Sequence, residues 1–245
     1  MKTHNTTALV TGAARRIGKA IALRLASLGC DVAVHFRSSQ KEAEETAQAI
    51  AGLGRKALLV EGNLSSKEEA QRIADAALRW QGNLAVLVNS AAHFPKVRIH
   101  EIDQEDWDTA LQTNLLGPFW LAQRIGPRLV ERGEGKIVNI ADISWRSPWT
   151  TRMPYGVSKA GLVAATIALA KAFAPQVQVN AIGPGPVLFP EDYTEEQRAA
   201  VIKKTLLKRQ GSPEDIADAV EFLCRCDYVT GHFLPVDGGQ SVPRI

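Results

Sequence analysis

Cysteine, aromatic residues, long apolar runs and a strong charge of either sign are all scarce in this chain. Three cysteines in 245 residues (Cys30, Cys224 and Cys226) is an odd count. Cys224-Arg225-Cys226 has neither zinc-site nor thioredoxin-like spacing, so reduced thiols near helix ends and no bound metal are expected. The uncharged stretch Ala160–Ala170 is too short for a bilayer, and Val177–Pro190 is broken by Gly and Pro. The opening Met1-Lys2-Thr3-His4-Asn5 leads into the short segment Ala8–Thr11 with no signal-peptide core, which predicts a soluble cytoplasmic protein with no membrane partner. No Lys/Arg block of nucleic-acid-binding length occurs, and 29 basic against 26 acidic residues leave a net charge of +3, which excludes nucleic acid as an expected partner.

What is there is an ordinary globular composition, 45% apolar and 22% charged, which excludes disorder and collagen-like repeats. A chain of this length buries ~70–75% of its unfolded surface, so it needs no disulfide or metal staple. Apolar runs and helical periodicities alternate from end to end. Thr7–Thr11, Asp31–Phe36, Lys56–Val60, Leu84–Asn89, Lys136–Ile140, Val177–Ile182 and Phe233–Val236 read as strands. Between them, Arg16–Leu28, Gln40–Leu53, a segment opened by the capping box Ser65-Ser66-Lys67-Glu68 and ending near Trp80, Tyr155–Phe173 and Thr194–Leu206 read as helices. Asp103–Arg132 reads as one long helix kinked or split at Pro118 and Pro127, and Ser212-Pro213-Glu214-Asp215 opens a last helix to about Cys224. No linker or internal repeat appears. The alternation predicts one α/β domain over residues 1–245: a doubly wound, Rossmann-type, parallel seven-stranded sheet with helices on both faces. Ligands belong at the carboxyl ends of its strands.

Gly12-Ala13-Ala14-Arg15-Arg16-Ile17-Gly18 lies at the first strand-to-helix junction. Gly12 permits a tight turn, Gly18 lets the helix pack close, and the helix start suits a pyrophosphate. The middle glycine of a G-x-G-x-x-G loop is absent. The second strand ends in His35-Phe36-Arg37-Ser38-Ser39, without the Asp or Glu that would hold a ribose 2′-hydroxyl. Arg37 and Ser38 suit a 2′-phosphate, and Arg15 or Arg16 adds a second cation, which favours NADPH over NADH. Further along, Tyr155 and Lys159 share one helix face at spacing i, i+4. An ammonium there favours the tyrosinate, which brings Tyr155 closer to proton exchange near neutral pH.

These motifs together make the chain resemble a short-chain dehydrogenase/reductase over its entire length. The matches are Thr11-Gly12 to Gly18, Asn63-Leu64, Asn89-Ser90-Ala91-Ala92, Asn114, Tyr155-Gly156-Val157-Ser158-Lys159, Pro184-Gly185 and Asp237-Gly238-Gly239. The resemblance implies that Gly12 to Gly18, Ile17 included, cradle the pyrophosphate. It implies that Asn63 and Leu64 flank the adenine, that Asn89 and Ala91 line the ribose side, and that Pro184 and Gly185 belong to the cofactor site. Tyr155 would give the proton, Lys159 would bind the nicotinamide ribose and tune Tyr155, and Asn114 would hold a relay water. It also implies a homotetramer built on the Asp103–Arg132 and Tyr155–Phe173 helices. The face Leu162, Ala165, Thr166 and Leu169 fits either that interface or the core of one subunit.

One departure is informative. The family usually has Ser thirteen residues before the Tyr, and here that position is Asp142, with Ser144 two residues on as the alternative. A carboxylate accepts hydrogen bonds and repels a developing alkoxide, so it suits a substrate with N–H donors or a C=N bond. Asp here, T-G-A-A-R-R-I-G at the first turn and Phe94 after the Asn89 motif are similar to pteridine reductases and dihydromonapterin reductases. In those, the matching Phe stacks on the pterin, and the Arg matching Arg16 lies near pterin and cofactor phosphates. The expectation is an NADPH-dependent reductase of a pterin C=N bond, with Arg16, Phe94, Asp142 and Tyr155 at the substrate. The alternatives are a carbonyl reductase, such as a 3-oxoacyl-carrier-protein reductase, and a non-catalytic NADP(H)-binding sensor. Trp145 and Trp149 could wall the pocket or an interface.

Overall fold

The computed structural model describes residues 5–189 and 193–243. The strands β1 (Thr7–Val10), β2 (Asp31–Phe36), β3 (Ala57–Glu61), β4 (Leu84–Asn89), β5 (Gly135–Ile140), β6 (Val177–Pro184) and β7 (Phe233–Val236) form one sheet. Its order is β3-β2-β1-β4-β5-β6-β7, and every neighbouring pair is parallel. The order reverses direction between β1 and β4, the place where such a sheet opens a crevice at its carboxyl edge. Strands β1, β2, β4 and β5 are buried at every position, as expected of strands covered on both faces.

Two helical layers provide that cover. On one face lie α1 (Arg16–Ser27), α2 (Gln40–Gly52) and α8 (Pro213–Arg225), whose Ile21, Leu25, Ile50 and Val220 pack on Val10, Val34 and Val88. On the other lie α3 (Lys67–Arg79), α5 (Gly117–Arg132) and α6 (Met153–Phe173), whose Ile73, Leu121, Ile125 and Leu169 pack on Leu9, Leu87 and Ile137. Among the described residues the two remaining α-helices are α4 (Gln104–Leu111) and α7 (Glu195–Lys203).

Several local expectations are corrected. The cap of α3 sits one residue later than expected, because Ser66, not Ser65, accepts from the Glu69 N–H. The segment 103–132 is helical from Gln104 to Arg132, but its irregularity is a wide turn of the i→i+5 kind at Gln112–Leu116, through which α4 runs on into α5. That turn precedes Pro118, which lies in the first turn of α5 where a missing N–H is tolerated, while Pro127 is accommodated within α5. A wide turn of this kind often marks a functional position, and Asn114 is at its centre. The helix carrying Tyr155 begins two residues early, at Met153. Residues 150–173 are long and apolar enough to cross a membrane, but 44% of their most apolar window is buried within the domain. Leu162, Thr166 and Leu169 are buried within the domain, whereas the large apolar side chains exposed on α6 are Val157 and Ile167. The three cysteines form no disulfide among the described residues, and Cys30 and Cys224 are buried.

Candidate active site

A cleft of about 590 Å³ runs along the carboxyl edge of the sheet. Arg37, Ser38, Asn63 and Leu64 line it past the ends of β2 and β3, Gly12, Arg15, Arg16, Ile17, Gly18 and Ala91 line it past the ends of β1 and β4, and Pro184 and Gly185 line it at the end of β6. Phe94, Asp142, Tyr155 and Lys159 line it as well. Residues expected from seven separated segments of sequence thus share one surface. Asn89 and Asn114 do not line it. Both are buried and act from behind.

The turn after β1 is built for close approach. Gly12 has φ +64°, and a Cβ there would meet the Ala91 backbone at 2.9 Å. A Cβ on Gly18 would collide with the Gly12 carbonyl. Thr11 Oγ1 accepts from the Ser90 and Ala91 N–H groups at 2.9 and 3.0 Å, joining the ends of β1 and β4. The missing middle glycine has a physical counterpart. Arg16 itself adopts φ +57°, a left-handed conformation that an L-side chain rarely takes, and its side chain lines the cleft.

His35 belongs to no motif that the sequence displays, yet it joins two loops of the site. It is 2% exposed, its Nδ1 accepts from the Gly12 N–H at 3.2 Å, and its Nε2 pairs with the Gly62 carbonyl at 3.1 Å. With Nδ1 accepting, Nε2 carries the proton. Burial pushes the imidazole down to about 4, so it is neutral at ordinary pH. Its position on a buried strand beside a glycine turn is the one signal the sequence offers.

Tyr155 Oη donates to Asp142 Oδ2 at 2.8 Å, while Asp142 Oδ1 accepts from the Ser144 N–H at 2.7 Å. Ser144 is buried and does not line the cleft, so Asp142 is the group that meets Tyr155. Burial, then the Asp142 charge and the hydrogen bond to it, raise Tyr155 well above its ordinary value, against the Arg152 cation. Lys159, expected to tune the tyrosine, is not among these causes. Its Nζ donates to the Ile140 carbonyl at 2.6 Å and lies 5.8 Å from the Tyr155 ring centroid. Burial lowers Lys159 to about 8, opposed by Asp142.

The second tier holds this part of the cleft in place. Asn114 Nδ2 donates to the His93 carbonyl and to Ser158 Oγ, its Oδ1 accepts from the His93 N–H, and Ser158 Oγ donates to the Tyr155 carbonyl. Asn89 Nδ2 donates to Asn139 Oδ1, and Asn139 Nδ2 donates to Thr166 Oγ1, which ties β4 and β5 to α6. Asn89 Oδ1 is buried with no partner among the described residues. Trp149 lines the cleft edge-on to Phe94, whereas Trp145 packs on Phe233 away from it. Arg152, which no sequence pattern singles out, is buried in the cleft wall over the Phe94 ring.

A nicotinamide dinucleotide fits this donor set. The turn excludes side chains at Gly12 and Gly18, cations line the cleft past β1 and β2, and Asn89 keeps an unsatisfied acceptor behind it. At the mouth, the Gly185 backbone lies too close to Asp237 for any side chain, and Asp237 is held by the Gly239 and Ser241 N–H groups.

A family model described as enoyl-(acyl carrier protein) reductase matches residues 12–241. A Streptomyces violaceoruber protein assigned as ketoacyl reductase 2 of the granaticin polyketide synthase is 36% identical over 242 residues, covering 96% of each chain. 3-Oxoacyl-acyl-carrier-protein reductase FabG of Staphylococcus epidermidis is 30% identical, over 96% of this chain and 99% of its own. Among solved structures, a blue fluorescent protein from a metagenomic library, in complex with NADPH, superposes with a TM-score of 0.89. It shares 29% identity over 98% of this chain and 99% of its own. The two relatives named as ketoacyl reductases speak for the carbonyl-reductase alternative rather than for the pterin reading.

Proposed function

The chain belongs to the short-chain dehydrogenase/reductase family of nicotinamide-dependent oxidoreductases, and from that premise we propose that it uses NADPH to reduce a C=N bond in a flat, N–H-bearing heterocycle of the pterin class. The observation that carries the substrate class is the Tyr155–Asp142 hydrogen bond: the group beside the proton donor is a carboxylate, with no hydroxyl in that place. The preference for NADPH rests on Arg15, Arg16, Arg37 and Ser38 in the cleft past β1 and β2.

NADPH, when bound, supplies the hydride. Gly12 to Gly18 and the start of α1 hold its pyrophosphate, Asn63 and Leu64 flank its adenine, and Lys159 faces its nicotinamide ribose. Tyr155 holds a proton on Oη and delivers it to the substrate nitrogen as the C=N carbon is reduced, so that the product is a CH–NH unit. Asp142 accepts hydrogen bonds from substrate N–H groups and orients the ring. Phe94 stacks on the heterocycle, and Arg16 reaches both substrate and cofactor phosphates. Asn114 holds a relay water behind the tyrosine. The same proposal makes the protein cytoplasmic and a homotetramer associating through the segment 103–132 (α4 and α5) and α6, and sedimentation tests the tetramer.

The second reading is reduction of a 3-oxoacyl thioester, favoured by the names of the ketoacyl reductase relatives. Turnover of dihydrobiopterin and of an acetoacetyl thioester, each with NADPH and with NADH, separates the two. Thioester turnover without pterin turnover overturns the first reading, and equal use of NADH overturns the cofactor assignment.

A further inference from the structure

We propose that Arg152 is a substrate-positioning residue that fixes the Phe94 ring as a wall of the cleft. The proposal rests on reading the cleft around Asp142 as the substrate site, not on which substrate fills it.

Phe94 lies in the connection between β4 and α4, where residues 90–98 have no regular secondary structure. A ring on such a segment has no helix or strand ladder to hold it and depends on side-chain fixings. Arg152 supplies two. Its Nη1 donates to the Phe94 carbonyl at 2.7 Å, and its guanidinium carbon stands 3.8 Å from the centre of the Phe94 ring. One side chain thus grips backbone and ring of the same residue.

The grip points at the chemistry. The Phe94 ring meets the Tyr155 ring at 4.5 Å and an interplanar angle of 70°, with Trp149 edge-on behind at 6.1 Å. All four side chains line the cleft. Phe94 remains 41% exposed while Arg152 is only 8% exposed. Dehydrating a guanidinium is costly, and a wall that served packing alone would be filled more cheaply by an apolar residue. The planar cation is what the stacked contact needs, and lysine does not reproduce it. The segment is pinned on both sides of the ring, by Asn114 on the His93 backbone and by the Val97 N–H donating to the Thr151 carbonyl. Arg152 thus sets the ring itself.

The test is steady-state kinetics of the full-length protein, with dihydrobiopterin or the acetoacetyl thioester, whichever turns over. The variants are Arg152→Gln, Arg152→Lys, Phe94→Leu and the Arg152→Gln/Phe94→Leu double variant. The expected result for Arg152→Gln is a substrate KM raised about tenfold with the NADPH KM unchanged, and Arg152→Lys falls between it and the parent. Because Arg152 acts through Phe94, the double variant is no worse than Phe94→Leu alone. An unchanged substrate KM overturns the proposal. So do additive effects in the double variant, or an NADPH KM that rises in step with a fall in melting temperature in both Arg152 variants. If only the thioester turns over, the pterin reading fails while the Arg152 comparison is read on the thioester.

Discussion

Tyr155 and Asp142 are joined by a 2.8 Å hydrogen bond in which the phenol donates and the carboxylate accepts. Burial first, then the Asp142 charge and this bond, raise the phenol well above its ordinary value, so Tyr155 is protonated at neutral pH. The protonated phenol is the form that the proposed reduction consumes. Tyr155→Phe removes only the hydroxyl, so kcat is expected to fall by ~10²–10⁴ while NADPH affinity, followed by fluorescence titration, stays within about twofold. Intact turnover would assign the proton to another group, and a protein that binds NADPH but reduces nothing before mutation would fit the sensor alternative.

Arg16 stands at φ +57° where a glycine would be unstrained. A left-handed L-residue costs roughly 1–2 kcal/mol, so Arg16→Gly is expected to raise the melting temperature by about 2–4 °C per kcal/mol recovered. The same variant loses a cation from the cleft, and its NADPH affinity is expected to fall. Scanning calorimetry and titration on one preparation check both signs together. A variant less stable than the parent would show that the left-handed backbone is not strained in its context.

Much of this arrangement is legible in the amino-acid sequence. The strand and helix alternation predicts the sheet because the apolar runs have strand length, those of β1, β2, β4 and β5 are apolar enough to be covered on both faces, and glycines close several of the turns. The first turn, the Asn63 and Asn89 segments and the Tyr155/Lys159 pair are short-range patterns, and the fold brings them to one edge. Long-range side-chain partners leave no such trace. His35 reads as one more strand residue until β1 and β3 bring Gly12 and Gly62 to its two nitrogens. Arg152 reads as a loop cation until the chain folds it over Phe94, 58 residues earlier. The Tyr155 environment is hidden for the same reason: spacing places Lys159 one turn away but does not tell that its ammonium is held by the Ile140 carbonyl.

His35 gives a pH-dependent signature. Its folded value, about 4, lies below the ordinary 6.5, so between those limits the unfolded chain binds more protons than the folded one. Stability from this group is therefore present above pH 6.5 and is lost as pH falls towards 4, by on the order of 3 kcal/mol. Melting temperatures of the parent and of His35→Gln between pH 6.5 and 4.5 test this. The parent is expected to lose more over that interval, and parallel curves would contradict it.

Lys159 governs the alkaline side. Burial holds its ammonium at about 8, and an anionic cofactor favours the charged form. NADPH affinity is therefore expected to fall as pH rises through about 8, and Lys159→Ala is expected to bind more weakly with that dependence flattened. Titrations from pH 7 to 9 on both proteins check it.

On the proposed function, the carboxylate of Asp142 selects the substrate. The direct measurement is the ratio of kcat/KM for dihydrobiopterin to that for an acetoacetyl thioester, in the parent and in Asp142→Ser, which restores the usual hydroxyl. The ratio is expected to favour the pterin in the parent and to fall at least tenfold in the variant, about 1.4 kcal/mol of transition-state preference. A ratio unchanged by the substitution would contradict it.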